Sequence, residues 1–354
     1  MGIQRSRKTI KQSSEGVFAM GRTKSGTMKM VIRALTLASL LLATNWTASA
    51  RSTAEGRFDR TLKVTGEVDL SVQTGSGQIT VRKGAAGTVT IHGVIRASSG
   101  WHLSDSEIES RVRSIEQNPP ITQEGNVIRI GHTNDNELMR NISISYEITA
   151  PAESRLRSET GSGGTPIEGI HGPIDAATGS GNMSIEDAGA EVNASTGSGG
   201  VDLRNIRANV RVTTGSGHIA GTGLTGAVSA GTGSGSIRIE GTGAGDFDVH
   251  TGSGSIELSG VKGSIRARAG SGSISARGEQ SGEWQLHTGS GDVRVRLPQN
   301  AAFELQARTS SGDIHTERPI TVQGTIGKHE LRGKVGAGGP LLDLSTSSGT
   351  ISID

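Results

Sequence analysis

The sequence predicts an all-β protein: a β-solenoid or β-helix-like stack of Gly-rich repeats of about 18 residues, with one short helix near the N-terminal end. The unit Thr-Gly-Ser-Gly recurs along the chain, and each copy is followed by residues that alternate between apolar and polar. Such alternation is typical of a strand with one buried and one solvated face. A structureless Gly/Ser linker would not keep this register.

The repeat holds a nearly constant period. From Thr160 onward the copies are 18 or 19 residues apart, and the last two intervals are 21 and 37. Full units begin at Thr74, Thr160, Thr178, Thr196, Thr214, Thr232, Thr251 and Thr288, and variants begin at Ala269, Thr309 and Thr346. One unit of two strands and two corners cannot bury its apolar face alone, so neighbouring units must stack. An antiparallel meander of hairpins fits the same pattern and stays open as the alternative.

The alternation after each turn assigns an inward and an outward set of residues. Pairs such as Ile237 and Ile239 are expected to face the core, and the residue between them is expected to face solvent. The predicted outward series changes in chemical type from coil to coil: Ser184, Asp202, Ala220, Arg238, Glu257, Ser275, Arg294 and His315. A mixed surface of this kind does not resemble a ladder for one kind of ion.

The first glycine of each motif is predicted to be a structural turn residue. A corner that needs a positive φ favours glycine, which has no Cβ to clash. The motif serine is expected to bond local backbone through its hydroxyl. The predicted turn glycines are Gly161, Gly179, Gly197, Gly215, Gly233, Gly252, Gly270 and Gly289.

Residues 28–50 have the three parts of a secretory signal peptide. Lys29 and Arg33 give a basic start, residues 34–43 are apolar, and Ala48-Ser49-Ala50 matches the small-residue cleavage pattern. Cleavage is therefore expected between Ala50 and Arg51. Residues 1–27 are interpreted as an over-long start or an extended leader.

Residues 51–354 divide into two regions that differ in how regularly the motif recurs. Residues 51–151 hold one copy of the motif and one helix candidate over about 105–117, where Ser104 and Glu107 fit a capping box. This N-terminal β region is expected to cap the repeats, which occupy residues 152–354.

Composition narrows the classes of function. Eight of the 36 lysines and arginines, but one of the 34 acids, lie in residues 1–50, so the rest of the chain carries a net charge of −5. A mildly acidic chain gives no support for nucleic-acid binding. There is no cysteine, and no apolar stretch after residue 50 is long enough for a transmembrane helix.

No motif carries convincing chemistry. Residues 221–226 match Gly-x-Gly-x-x-Gly, but no helix is predicted to follow, as a dinucleotide site requires. The motif serines recur too often to be a single nucleophile, and acids such as Asp292 are not repeated as a calcium ladder. His250 and His287 should lie two coils apart, about 10 Å, which is too far for one zinc ion. We therefore expect no catalytic residue, cofactor or metal.

The region from Phe58 to Val81, the segment from Ser143 to Ile148 leading into Pro151, and the serial Thr-Gly-Ser-Gly-x-Ile units resemble the bacterial putative-adhesin family of β-strand repeats. That family is a domain of unknown function. The resemblance implies an envelope location and a β-repeat fold, and it assigns no functional residues.

The sequence favours an exported, non-catalytic envelope or surface protein, an adhesin-like interaction or structural module with an unknown envelope or extracellular macromolecule as partner. A periplasmic sensor or regulatory partner is the alternative. A polysaccharide-active β-helix enzyme is disfavoured, because Trp101, Trp284 and Tyr146 are the only tryptophans and tyrosine after residue 50 that could stack on sugars.

Overall fold

This computed structural model describes residues 53–98, 104–133, 135, 137–322 and 327–354. The interpretations of residues 1–27 and 28–50, the cleavage site between Ala50 and Arg51, and Trp101 lie outside the described residues.

The described chain consists of short strands and one helix. The helix α1 spans Asp105–Gln117. In chain order the strands are β1 Thr53–Lys63, β2 Asp69–Thr74, β3 Ile79–Lys83, β4 Thr88–Ser98, β5 Ile121–Glu124, β6 Val127–Ile130, β7 Ile142–Ala150, β8 Arg155–Thr160, β9 Thr165–Glu168, β10 Ile174–Thr178, β11 Met183–Glu186, β12 Val192–Thr196, β13 Val201–Arg204, β14 Val210–Thr214, β15 Ile219–Leu224, β16 Val228–Ser234, β17 Ile237–Gly241, β18 Phe247–Ser253, β19 Ile256–Val261, β20 Ile265–Ser271, β21 Ile274–Gly278, β22 Trp284–Ser290, β23 Val293–Arg296, β24 Phe303–Ser311, β25 Ile314–Thr316, β26 Thr321–Val322, β27 Glu330–Val335, β28 Leu341–Ser348 and β29 Ile351–Ile353.

The strands alternate between two long sheets, and the repeated coils stack in parallel. The first sheet has the order β1-β4-β7-β3-β9-β11-β13-β15-β17-β19-β21-β23-β29-β25, and the second has the order β26-β27-β24-β28-β22-β20-β18-β16-β14-β12-β10-β8-β2-β6-β5. Each repeat places one strand in each sheet directly beside the strand of the previous repeat. The predicted β-solenoid is confirmed, and the antiparallel meander is wrong for the repeats.

One continuous core lies along the stack, built from the inward residues of both sheets. The predicted pairs Ile237 and Ile239, Ile256 and Leu258, and Val293 and Val295 are all buried. Large side chains are few in this core, and Trp284 is fully buried with its Nε1 donating to the carbonyl of Gly263. Most of the other buried side chains between the sheets are small or aliphatic.

Tyr146 is the chain's only tyrosine and gives a clean pH test of this core. Its ring lies against Phe58, its hydroxyl has no hydrogen-bond partner among the described residues, and burial raises its pKa. Because the unfolded chain loses this proton near the ordinary pKa of about 10, stability should fall as pH rises above 10. We expect no tyrosinate absorbance at that pH until the protein unfolds, and Tyr146→Phe should remove part of the pH slope. Tyrosinate formation in the folded protein near pH 10 would contradict this burial.

The region before the repeats joins both sheets. β2 and β3 form a coil that stacks in parallel with β8 and β9, while β4 runs antiparallel to both β1 and β7. The helix α1 contacts β1 and β4, and Glu116 accepts a hydrogen bond from the backbone N–H of Arg57.

The predicted capping box of α1 is confirmed. The Ser104 side chain accepts from the backbone of Glu107, and the Ser104 N–H donates to the Glu107 carboxylate. That bond from Ser104 lowers the pKa of Glu107.

The last coil in sequence is not the last coil in space. β28 lies between β22 and β24, and β29 lies between β23 and β25, so the C-terminal strands enter the stack one coil before its end. The hairpin of β26 and β27 runs antiparallel along the edge of β24. The interval of 37 residues between Thr309 and Thr346 contains this hairpin.

Because β29 lies between β23 and β25, the predicted series of outward residues is wrong at its end. From Ser184 to Arg294 the residues are cross-strand neighbours as predicted, but the neighbour of Arg294 is Ser352, and His315 follows one strand later.

Candidate interaction surface

A column of buried threonines holds the repeated corner together. From Thr160 onward, the threonine of each motif donates its hydroxyl to a glycine carbonyl of an adjacent coil, as Thr214 does to Gly199 at 2.9 Å, whereas Thr74 donates to the carbonyl of Ile144. In the central coils the same hydroxyl also accepts from the second glycine of its own motif, so that the N–H of Gly217 lies 3.1 Å from Thr214 Oγ1. The motif thus links each coil to the one before it.

The prediction of a positive φ at the first motif glycines is wrong. None of the eight, from Gly161 to Gly289, has a positive φ. A Cβ on Gly233 would instead lie 2.6 Å from the carbonyl oxygen of Gly215 in the preceding coil. These glycines are needed because the backbones of stacked coils approach closely, although Ser310 and Ser347 occupy the same position in the last two copies.

The second glycine of the motif is the more restricted one. It is present in every copy, and a Cβ on Gly217 would lie closer than 3.0 Å to both the carbonyl oxygen and the carbonyl carbon of Gly199. Sequence reasoning missed this position and the threonine. Their constancy among the copies was the available signal, since only Ala269 replaces the threonine.

The motif serines face solvent and hold nothing in place. Ser216 and Ser234 are exposed, and no motif serine hydroxyl makes a hydrogen bond within the part of the chain that the structure describes. From Ser234 onward they lie side by side on neighbouring strands, in the spatial order Ser234, Ser253, Ser271, Ser290, Ser348 and Ser311. The expectation that these hydroxyls bond the local backbone is therefore wrong.

The outer face of the second sheet is uneven and mixed in charge. A depression of about 480 Å³ is lined by Arg211, Asp248 and Arg266, with Ala227 and Ser229 among the small residues that line it. Next to it, His250, Arg268 and His287 are cross-strand neighbours, and His287 lies 3.3 Å from Asp343. Asp248 faces Arg266 with opposite charge, whereas His250, Arg268 and His287 form a row of basic side chains.

The glycine motif and the acidic residues that were considered as possible cofactor or metal sites have structural positions in the repeats. Residues 221–226 span the end of β15 and the turn before β16, so no helix follows the glycines. Asp292 accepts from the backbone N–H of Thr350 and so connects two coils. Glu330 accepts from Arg308 and Arg332, and these bonds lower its pKa. Among the described residues, no group of three or more acids and histidines could hold a metal ion.

Comparison with known families gives one match over the repeats. The model of the Toastrack DUF4097 family matches residues 165–354. No curated protein matches the chain. Within the described parts of the chain, no helix has the length and apolar character needed to cross a membrane.

Solved structures with some similarity come from bacteria of the genera Clostridium, Bacteroides and Parabacteroides. One is described as a "putative cell adhesion protein" from Clostridium sporogenes, at 12% identity and a TM-score of 0.20, covering 85% of this chain and 99% of that one. A "putative adhesin" from Bacteroides fragilis has 12% identity and a TM-score of 0.27, over 84% and 97% of the two chains. Another "putative adhesin", from Parabacteroides merdae, has 9% identity and a TM-score of 0.28, over 84% and 96%.

Proposed function

The chain belongs to the Toastrack DUF4097 family, and we propose that it is an exported, non-catalytic interaction module of the bacterial cell envelope, adhesin-like in its use of an extended surface. The observation that carries this proposal is that different residues of each repeat make the contacts between coils and form the outer surface. The recurring threonine and glycines of the motif lie at the contacts between coils, and the charged and polar residues that differ from coil to coil face outward.

Several features support binding over catalysis. Among the described residues, the charged and polar side chains of the repeats are spread along solvated columns, and the serine of each Gly-Ser-Gly is exposed and its hydroxyl makes no hydrogen bond. Stacked repeats produce long regular faces, which suit contact with large partners. The net charge of −5 after residue 50 gives no support for nucleic acid as the partner.

Export and envelope binding are tested together. We expect the chain recovered from periplasm or medium to have the intact mass of a protein that begins at Arg51, because the three parts of the signal occur in order. The same chain should sediment with isolated cell envelopes. A cytoplasmic chain that retains residues 28–50 would contradict export. Turnover of envelope polysaccharide or peptide that is lost on replacing one acid or histidine would instead identify an enzyme.

A further inference from the structure

Most charged residues on the outer face of the first sheet have an opposite charge on a neighbouring strand, and even the facing acids Glu168 and Glu186 each have an arginine partner on the other side. Arg82 pairs with Glu168 at 3.7 Å, Arg204 with Glu186 at 3.6 Å, and Arg238 with Glu257 at 2.7 Å. Opposite charges on facing positions of neighbouring strands stabilise a sheet, and like charges destabilise it.

This pattern reverses on β21 and β23. Arg277 lies directly opposite Arg296, and Arg294 lies two residues before Arg296 on the same face. All three are exposed. Arg296 contacts Asp354 at 3.3 Å, whereas Arg277 and Arg294 make no ion pair with any described residue. We call Arg277, Arg294 and Arg296 the arginine block. Stability does not account for it, because facing like charges oppose folding.

The residues beside Arg294 in the arginine block are polar. Ser275 and Ser352 flank Arg294 on the two neighbouring strands. At a strand spacing of about 4.8 Å, the block presents several donors to one extended ligand. A guanidinium group can bind a carboxylate through two parallel hydrogen bonds.

We propose that the arginine block binds the carboxylates of an acidic polysaccharide. This rests on the proposed function and assigns a partner class to one part of the extended surface. A membrane is disfavoured because the flanking residues Ser275, Ser352 and Asp354 offer nothing apolar to insert. Single-stranded nucleic acid is disfavoured because aromatic residues make up only 2% of the chain, so that bases have few rings to stack on. Carboxylates along a sugar chain need neither feature.

Binding of residues 51–354 to polygalacturonate, with dextran as the neutral polymer and anionic phospholipid vesicles in parallel, tests the assignment. The double variant Arg277→Gln/Arg294→Gln should lose at least tenfold in affinity for polygalacturonate. The matched control Arg204→Gln/Arg238→Gln removes the same charge from the same face, at arginines that already have acidic partners, and should lose less than twofold. Binding should weaken as salt is raised, because exposed charges are screened.

The outcomes separate this assignment from the proposed function. Equal losses in the two double variants, no binding of polygalacturonate, or a preference for vesicles would overturn the arginine block as a polysaccharide site. In each of these cases the proposed function still stands if the chain binds isolated envelopes. The Arg277→Gln/Arg294→Gln protein should melt at or above the temperature of the unmodified chain, because repulsion is relieved. A clear drop in its melting temperature would assign these arginines a structural role and overturn the proposal.

Discussion

Replacing Thr214 with valine should lower the free energy of unfolding by about 3 kcal/mol. The substitution keeps the shape of the side chain but removes the hydroxyl that donates to Gly199 O and accepts from Gly217 N. Both backbone groups then lose a partner inside a buried corner, and each unsatisfied group costs about 1–3 kcal/mol. Urea denaturation of residues 51–354 measures the change.

Ser216→Ala is the matched control for Thr214→Val. Ser216 lies two residues away in the same motif, is exposed, and makes no hydrogen bond with any described residue. We expect its effect to stay within about 0.5 kcal/mol, the usual range for surface substitutions. A larger loss from Ser216→Ala than from Thr214→Val would contradict the threonine column and indicate a role for the exposed hydroxyl.

Replacing Gly217 with alanine should lower the free energy of unfolding by about as much as Thr214→Val does, for a different reason. The alanine Cβ would meet backbone atoms of Gly199 and Gly200, which cannot rotate away as a side chain could. The coils would have to separate locally, and overpacking of this kind costs about 1–3 kcal/mol, occasionally more. We therefore expect Gly217→Ala to destabilise the protein by about 3 kcal/mol in the same denaturation assay.

Gly75 supplies the control for this steric argument. It is the first glycine of the first motif copy, and a Cβ there would meet nothing within 4 Å. Gly75→Ala should change stability by no more than about 0.5 kcal/mol. Equal destabilisation by Gly75→Ala and Gly217→Ala would mean that glycine is needed for local backbone conformation, and the stacking explanation would be wrong.

The repeat spacing and the alternation of apolar residues were sufficient to predict the coils. Both patterns are local, and stacking identical units turns a local period into a global structure. The capping box at Ser104 was predictable for the same reason, since its two hydrogen bonds join residues three apart.

The contacts between coils were harder to predict. Glycine was correctly placed at the corners, but its reason lies in the carbonyl of another coil, as between Gly233 and Gly215, and a single turn does not reveal that neighbour. The threonine was overlooked because a polar residue before a turn suggests solvent. Within this stack its hydroxyl is buried and satisfied by backbone 15 residues away, as in Thr214 and Gly199.

The order of the last coils depends on tertiary pairing. Nothing in the interval of 37 residues indicates that β28 and β29 pair with β22 and β23 as well as with β24 and β25. The arginine block was likewise invisible as a unit, because Arg277 and Arg296 become neighbours only when two coils stack. Of its members, only Arg294 belonged to the predicted outward series.

Deletion of residues 196–231 tests most directly whether binding depends on the extended surface. The deletion removes two whole repeats and joins Ser195 to Thr232, so that β12 can continue into the motif of β16 in register. The account predicts a folded protein that keeps its arginine block but binds isolated envelopes with reduced affinity, because part of the outward face is missing. Envelope binding of unchanged affinity by the folded deletion variant would contradict it.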